Sequence, residues 1–190
     1  MSSIEKHPFS LFLPTNAKWL LLGSFPPPRK RWSMEFYYPN LQNDMWRIFG
    51  LLFFADKNYF LLPDKTAFDK EKIVTFLLSK GIAMGDTARS VIRMKGNASD
   101  AFLQVVEPLD LQQVLLQLPH CKQVVATGQK SADTLCRILG IAMPIIGESS
   151  EFVLLNRSMR LYRMPSSSRA YPMKLEQKAN FYKKLFEENL

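Results

Sequence analysis

The segment from Phe36 to Trp46, FYYPNLQNDMW, brings aromatic rings together with two asparagines, a glutamine and an aspartate directly after a proline-rich turn. Aromatic rings can wall a pocket and stack against a flat ligand. A carboxamide is a poor general base, but it can hold a water molecule or donate hydrogen bonds to a group whose negative charge grows during a reaction. The segment is therefore more polar and more aromatic than a connecting loop requires.

The composition suits one domain spanning residues 1–190, because a chain of this length buries most of its apolar surface without disulfides or metals. Lysine plus arginine outnumber aspartate plus glutamate by 25 to 17, which gives a formal charge of +8. A basic surplus beside aromatic residues indicates a polyanionic partner such as a nucleic acid, although solubility alone is the other explanation. Part of the surplus lies in two local groups, Arg29–Arg31 and the arginines 157, 160, 163 and 169.

Several classes of protein are excluded by what the sequence lacks. The two cysteines, Cys121 and Cys136, form no CxxC motif and no Cys/His cluster, so neither a disulfide framework nor a metal or iron–sulfur site is expected. The longest apolar runs are too short to span a bilayer. The N-terminus lacks the basic segment followed by an apolar segment that is typical of a signal peptide. We therefore expect a soluble, cytoplasmic monomer that binds no metal and no membrane.

Short apolar runs predict buried strands, and amphipathic stretches between them predict helices. The predicted strands are Lys18–Ser24, Gly81–Thr87, Lys122–Gly128 and Met159–Met164. The predicted helices are Asp44–Phe54, Asp69–Lys80, Leu109–Leu118, Ser131–Leu139 and Lys174–Glu188. Ala88–Asp100 is expected to be irregular, with a turn at Gly96–Asn97. Strands that alternate with helices favour parallel crossovers, so the predicted fold class is α/β, with three α/β/α layers around a mostly parallel four-stranded central sheet.

In such a sheet, ligands bind outside the carboxyl ends of the strands, where several loops converge. The segments that follow the predicted strands are GSFPPP, GDTARS, TGQKSA and PSSSRAYP, and all of them are polar or rigid. Neither GxGxxG nor GxxxxGK[ST] occurs, which disfavours dinucleotide binding and nucleoside-triphosphate chemistry. The search for a site therefore concentrates on these loops and on the segment after GSFPPP.

Five segments, in order and at similar spacing, resemble the motifs of the uracil-DNA glycosylase superfamily. They are GSFPPP, YYPNLQNDMW, GIAMGDTARS, VVATGQKSA and MPSSSRAYPMKLEQK, and together they extend over most of the chain. The closest pattern is that of the hypoxanthine-DNA glycosylase branch, family 6. The resemblance implies a four-stranded parallel sheet between helices. It also implies a monofunctional DNA glycosylase of base-excision repair, which hydrolyses the N-glycosidic bond of a deaminated base, hypoxanthine or uracil, without a cofactor.

The resemblance also assigns roles around a base turned out of the DNA helix, which such an enzyme must hold in a pocket. In the branch signature YY-x-x-x-x-N-x-F-W the asparagine is catalytic, and here it is Asn43. The residues implied for the base pocket are Phe25, Tyr37, Tyr38 and Met45. The other explanation for Asn43 is a helix N-cap. For Tyr37 and Tyr38 it is packing of the loop onto the sheet, and for Phe25 it is packing of the turn.

A second group of residues is implied for contact with DNA. PSSSRAYP resembles the second motif of the family, in which small hydroxyl side chains and loop amides suit phosphate contacts. The candidates are Ser166, Ser167, Ser168 and Arg169, together with Lys130 of TGQKSA. An ordinary serine-rich turn and an exposed lysine at a helix start are the alternatives.

The sequence departs from the family pattern at several positions. Phe25 stands where the mismatch-specific branch has an asparagine, Pro27 replaces a glycine, and Met45 replaces a phenylalanine. The aspartate of the first motif in other branches is absent; Asp44 and Asp86 are possible substitutes, although caps are the simpler explanation. His7 and His120 lie outside the matched motifs. These departures leave a non-catalytic nucleic-acid-binding protein with the same fold as the alternative, and a small α/β enzyme acting on a nucleoside or phosphorylated substrate as a weaker one.

Overall fold

The computed structural model describes residues 3–94 and 100–187, in which strands and helices alternate. The strands are β1 Ile4–Lys6, β2 Trp19–Gly23, β3 Ile82–Asp86, β4 Ala88–Arg93, β5 Leu103–Pro108, β6 Gln123–Ala126, β7 Ser149–Leu154 and β8 Arg157–Arg163. The helices are α1 Met45–Phe54, α2 Lys70–Lys80, α3 Leu111–Leu116, α4 Gln129–Leu139 and α5 Leu175–Glu187, with short 3₁₀ turns at Arg29–Arg31 and Asp100–Phe102. No helix in these ranges is long and apolar enough to cross a membrane.

The central sheet has the strand order β3-β2-β6-β8-β7. Its first four strands are parallel and correspond to the four predicted strands, so the α/β class agrees with the prediction. The prediction of four strands is wrong by one, because β7 adds a fifth strand antiparallel to β8. The link between them is a two-residue turn, Leu155 and Asn156, and both residues have positive φ (55° and 57°), as a type I′ hairpin turn requires.

Helices cover both faces of the central sheet, so the structure has three layers. Alternate residues of β2 point to opposite sides: Trp19 and Leu21 pack with residues of α1, α2 and α5, whereas Leu20 and Leu22 pack with residues of α3 and α4. All five residues of β2 and of β3 are buried, which explains why β2 is apolar throughout and β3 is apolar up to its last residue, Asp86. The two apolar layers fix the sheet, and with it the loops at the carboxyl ends of its strands.

A second, antiparallel sheet has the order β1-β4-β5 and was not predicted. The expectation that Ala88–Asp100 is irregular is wrong for its first half, since Ala88–Arg93 is β4. The register of β4 against β5 shifts between Ala88 and Val91, so apolar and polar residues do not alternate regularly along it. The predicted turn at Gly96–Asn97 lies outside the described residues.

The helix boundaries differ from the predicted ones by at most two residues, and several ends agree. Helix α1 begins at Met45 rather than Asp44, and α4 begins at Gln129 rather than Ser131. Helix α2 is capped as expected: the Asp69 carboxylate accepts the Lys72 N–H, and Gly81 ends the helix at φ +64°. The predicted end of the last helix, Glu188, is outside the described residues.

Candidate active site

A cavity of about 930 Å³ lies at the carboxyl ends of the parallel strands. Its floor is formed where the strands end, by Gly23 of β2, Asp86 of β3, Thr127 after β6 and Met164 after β8. The loops that follow these strands form the walls. The position is the one expected for ligand binding in an open parallel sheet.

Most of the predicted site residues line this cavity: Phe25, Tyr38, Asn43, Lys130, Ser166, Ser167, Ser168 and Arg169. The structure does not bring Tyr37 and Met45 to it. Tyr37 is 1% exposed and its hydroxyl donates to the Ser10 carbonyl at 3.1 Å, and Met45, the first residue of α1, is fully buried in the core. Tyr37 and Met45 therefore pack the loop and the helix onto the sheet, and for Tyr37 this was the alternative considered.

The Asn43 side chain is half-buried at the edge of the cavity, and its two polar ends are in different situations. Its Oδ1 accepts the backbone N–H of Met45 at 2.9 Å, a cap-like bond at the start of α1. In the part of the chain that the structure describes, no acceptor lies within hydrogen-bonding reach of its Nδ2. The capping role and a role in the cavity are thus compatible: the oxygen fixes the amide, and the Nδ2–H₂ group remains available as a donor.

The loop of Ser166, Ser167 and Ser168, here called the serine loop, is joined directly to the Asn43 segment. The Asp44 N–H donates to the Ser167 carbonyl at 2.8 Å, and the Arg169 N–H donates to the Gln42 carbonyl at 3.1 Å. These two bonds make Asn43 and Ser168 an antiparallel bridge. The candidate catalytic amide and the candidate DNA-contact loop are therefore held at a fixed separation by backbone hydrogen bonds.

A buried ion cluster supports this junction. Asp44 is 6% exposed, and its carboxylate binds Arg169 Nε at 2.9 Å and Lys178 Nζ at 3.1 Å. Lys178, on α5, is fully buried and also donates to the Ser168 carbonyl at 2.8 Å. The cluster thereby links α1, α5 and the serine loop. From the sequence, Asp44 is a possible substitute for the catalytic aspartate of other branches, but its carboxylate is ion-paired with these two cations.

The serine loop presents hydroxyl groups to the cavity. Ser166 Oγ accepts the Ser168 N–H and Ser168 Oγ accepts the Ala170 N–H, both at 3.2 Å, so each hydroxyl proton is free to donate outward. Ser167 is 2% exposed, so its side chain faces the protein more than the opening. Three further cations line the same cavity, Arg31, Lys130 and Arg163. Hydroxyl donors and cations side by side suit an anionic ligand.

Tyr38 combines a strained backbone with an ordered hydroxyl. Its φ is +52°, a left-handed conformation that is unusual for a bulky residue and is often found at functional sites. Its hydroxyl lies 2.7 Å from Thr127 Oγ1, which donates its own proton to the Leu22 carbonyl at 3.2 Å. Tyr38 is therefore the donor to Thr127. Burial, and then the nearby Asp86 charge, raise the Tyr38 pKa well above its ordinary value, so the phenol stays protonated.

Asp86, which lines the cavity, is paired with a residue outside the lining that sequence reasoning did not place beside it, His7. His7 Nε2 lies 2.8 Å from Asp86 Oδ2, and the His7 side chain is fully buried among the rings of Phe9, Phe25 and Tyr37. Asp86 is the last residue of β3 and is 6% exposed. Its position at the end of a predicted strand was a usable signal. The partner was not predictable, because 79 residues separate the two in sequence.

Comparison with known proteins gave one kind of match. No protein-family profile matches the chain, and no curated protein matches it. Among solved structures, the chain is similar to an NMR structure of a candidate uracil DNA glycosylase from Methanosarcina acetivorans, with 22% identity over 97% of this chain and 99% of that chain and a TM-score of 0.60. The protein therefore has the α/β fold of that solved structure.

Proposed function

We propose that this protein is a monofunctional DNA glycosylase that hydrolyses the N-glycosidic bond of a deaminated base, uracil or hypoxanthine, in DNA. The observation that carries the proposal is the unpaired Nδ2–H₂ group of Asn43 at a cavity of about 930 Å³, directly beside the serine loop. The fold shared with the solved structure named as a candidate uracil DNA glycosylase supports DNA as the substrate.

The proposed chemistry uses the cavity to hold a base that has left the DNA stack. When the bond between the sugar C1′ and the base nitrogen breaks, its electron pair goes to the base. The Asn43 Nδ2–H₂ group then donates a hydrogen bond to the departing base, whose negative charge grows in the transition state. A water molecule forms the new bond to C1′ and loses a proton, and the base takes up a proton on release. The products are a free base and an abasic site.

The proposed grip on DNA comes from the serine loop beside Asn43, together with Arg169 and Lys130. The hydroxyls of Ser166 and Ser168 and the cations Arg169 and Lys130 would contact phosphates on either side of the extruded nucleotide. Such contacts carry no base information but fix the position of the strand. They also make binding depend on salt, because each neutralised phosphate releases counterions.

The test is an incubation with duplexes that contain a single uracil, hypoxanthine or xanthine, followed by alkaline cleavage at abasic sites. Wild type is expected to cleave at least one of the first two, and Asn43→Ala to be slower by about 100- to 1,000-fold, as for the loss of one transition-state donor. Asn43→Asp is the matched variant, because a carboxylate oxygen can still accept the Met45 N–H while the Nδ2 donor is gone. Loss of activity in both variants supports the donor role.

Two results would contradict the proposal. If Asn43→Ala cleaves as fast as wild type, Asn43 has no part in the chemistry and the proposed mechanism is wrong. If wild type cleaves none of the lesions but binds DNA with an affinity that falls steeply with salt, the protein is instead a non-catalytic nucleic-acid-binding protein with this fold.

A further inference from the structure

The pair formed by His7 and Asp86 has no part in the mechanism proposed above, although Asp86 is on the cavity floor. Of the two facing groups, the imidazole carries the N–H donor and the carboxylate oxygen accepts, so His7 Nε2 donates to Asp86 Oδ2 at 2.8 Å. The other ring nitrogen, Nδ1, lies 3.1 Å from the Phe9 amide nitrogen and 3.0 Å from the Phe9 carbonyl oxygen, so the ring is held on both sides. His7 therefore fixes the orientation of the Asp86 carboxylate.

The second oxygen of Asp86 is directed toward the end of β2. A methyl group built on Gly23 would overlap Asp86 Oδ1, so this oxygen lies directly against the Gly23 backbone at the cavity floor. Among the described residues, none donates a hydrogen bond to Oδ1. A glycine at this position is what allows the carboxylate to occupy the floor.

The Tyr38 hydroxyl lies beside the same point, 3.1 Å from the position that a Gly23 methyl would take. Because Tyr38 gives its proton to Thr127, its oxygen offers only lone pairs to the cavity. The cavity floor thus presents two neighbouring acceptors, Asp86 Oδ1 and the Tyr38 hydroxyl oxygen. Of the two, only the carboxylate is charged, and its hydrogen bonds are the stronger.

Burial separates this floor from the residues proposed for chemistry and for DNA contact. Asp86 is 6% exposed, whereas the Arg169 side chain is 43% exposed and Asn43 is half-buried. A nucleotide that enters base first would bring the far edge of its base to Asp86, while its sugar and phosphates stay near Asn43 and the serine loop. Asp86 is therefore placed to contact the base rather than the sugar.

We infer that Asp86 is the residue that reads the base: its Oδ1, oriented by His7, accepts a hydrogen bond from a ring N–H of the everted base. This inference rests on the proposed glycosylase function. Uracil carries such a hydrogen on N3 and hypoxanthine on N1, whereas the corresponding ring nitrogens of cytosine and adenine carry a lone pair, which a carboxylate repels. A site built to bind a substrate N–H strongly rejects an analogue that lacks it.

The experiment compares single-turnover release of hypoxanthine and 1-methylhypoxanthine, each placed opposite an abasic-site analogue so that pairing contributes to neither. Wild type is expected to release hypoxanthine about 10- to 100-fold faster, the effect of one hydrogen bond to a charged group. In Asp86→Ala the rate on hypoxanthine falls and the ratio between the two bases approaches 1. His7→Ala, which frees the carboxylate to rotate, lowers the ratio less. Asp110→Asn removes one carboxylate from the N-cap of α3, outside the cavity, and keeps the wild-type ratio.

The outcomes separate this inference from the proposed function. Equal release of both bases by wild type overturns the reading role while the glycosylase function stands, and this arm requires no variant to fold. A wild-type ratio that persists in Asp86→Ala also overturns it. If wild type releases neither base, fluorescence anisotropy measures its affinity for the same two substrates. Tighter binding of the hypoxanthine duplex that is lost in Asp86→Ala upholds the reading role without catalysis. Equal affinities for the two duplexes overturn it.

Discussion

Replacing Lys178 by methionine tests how strongly the ion cluster holds the site together. Lys178 is fully buried, and its ammonium group donates to Asp44 Oδ2 at 3.1 Å and to the Ser168 carbonyl at 2.8 Å. Without Lys178, Arg169 is the one remaining cation paired with the Asp44 carboxylate among the described residues. The Arg169 side chain is 43% exposed, so solvent screens its charge. Leaving a buried charge underpaired costs about 3–5 kcal/mol.

The measurement is the free energy of unfolding from urea denaturation, supported by thermal unfolding. For a chain of this size, the expected cost corresponds to a fall in Tm of about 6–20 °C. Lys183→Met is the matched control on the same helix, because Lys183 pairs with Glu187 at 3.6 Å on the surface and its loss should cost less than about 0.5 kcal/mol.

A double-variant cycle separates the pair from simple loss of packing. Asp44→Asn removes the buried negative charge, so Lys178→Met should cost less in that background, with a coupling of about 1–3 kcal/mol. A Lys178→Met variant that is as stable as Lys183→Met, or a cycle without coupling, would refute the view that the ion cluster anchors the serine loop.

Three further predictions follow from single contacts. Gly23→Ala places a methyl group against Asp86 Oδ1 and should destabilise the protein by about 1–3 kcal/mol in urea; unchanged stability would mean that the carboxylate can move aside. Lys130→Ala should reduce the slope of log affinity for DNA against log salt by about 1, and an unchanged slope would remove Lys130 from the phosphate contacts. Burial raises the pKa of the Cys121 thiol to about 12. The buried, protonated thiol stabilises the folded state fully below about pH 9, and this stabilisation is lost as the pH rises toward 12. Alkaline unfolding that is no steeper in wild type than in Cys121→Ala would contradict this.

The parallel part of the fold was predictable because a strand that is buried on both faces appears in the sequence as a short, continuous apolar run. The residues of β2 and β3 are all buried, and their apolar runs end at the residues that form the cavity floor. The strands that were not predicted have weaker sequence patterns. Strand β7 depends on a hairpin turn at Leu155 and Asn156, where no glycine marks the positive φ values, and β4 contains an irregular register that breaks alternation.

The candidate site divides in a similar way. The segments after the strands converge as expected, which brings Asn43, Tyr38 and the serine loop to one cavity. Tyr37 was assigned to the pocket but does not line the cavity. The sequence spacing of residues in an irregular loop does not show which way each side chain points. His7 was beyond prediction, since its contact with Asp86 depends on how the chain before β2 packs across the sheet.

The most direct test of the central claim is a crystal structure with a duplex that carries the 2′-fluoro nucleotide of the base that wild type releases, uracil or hypoxanthine; the fluorine slows cleavage of the glycosidic bond. The predicted result is that this base is everted into the cavity, with Asn43 Nδ2 at hydrogen-bonding distance from it and phosphates against the serine loop. A base that remains stacked in the duplex, or one bound elsewhere with Asn43 out of contact, would contradict the account.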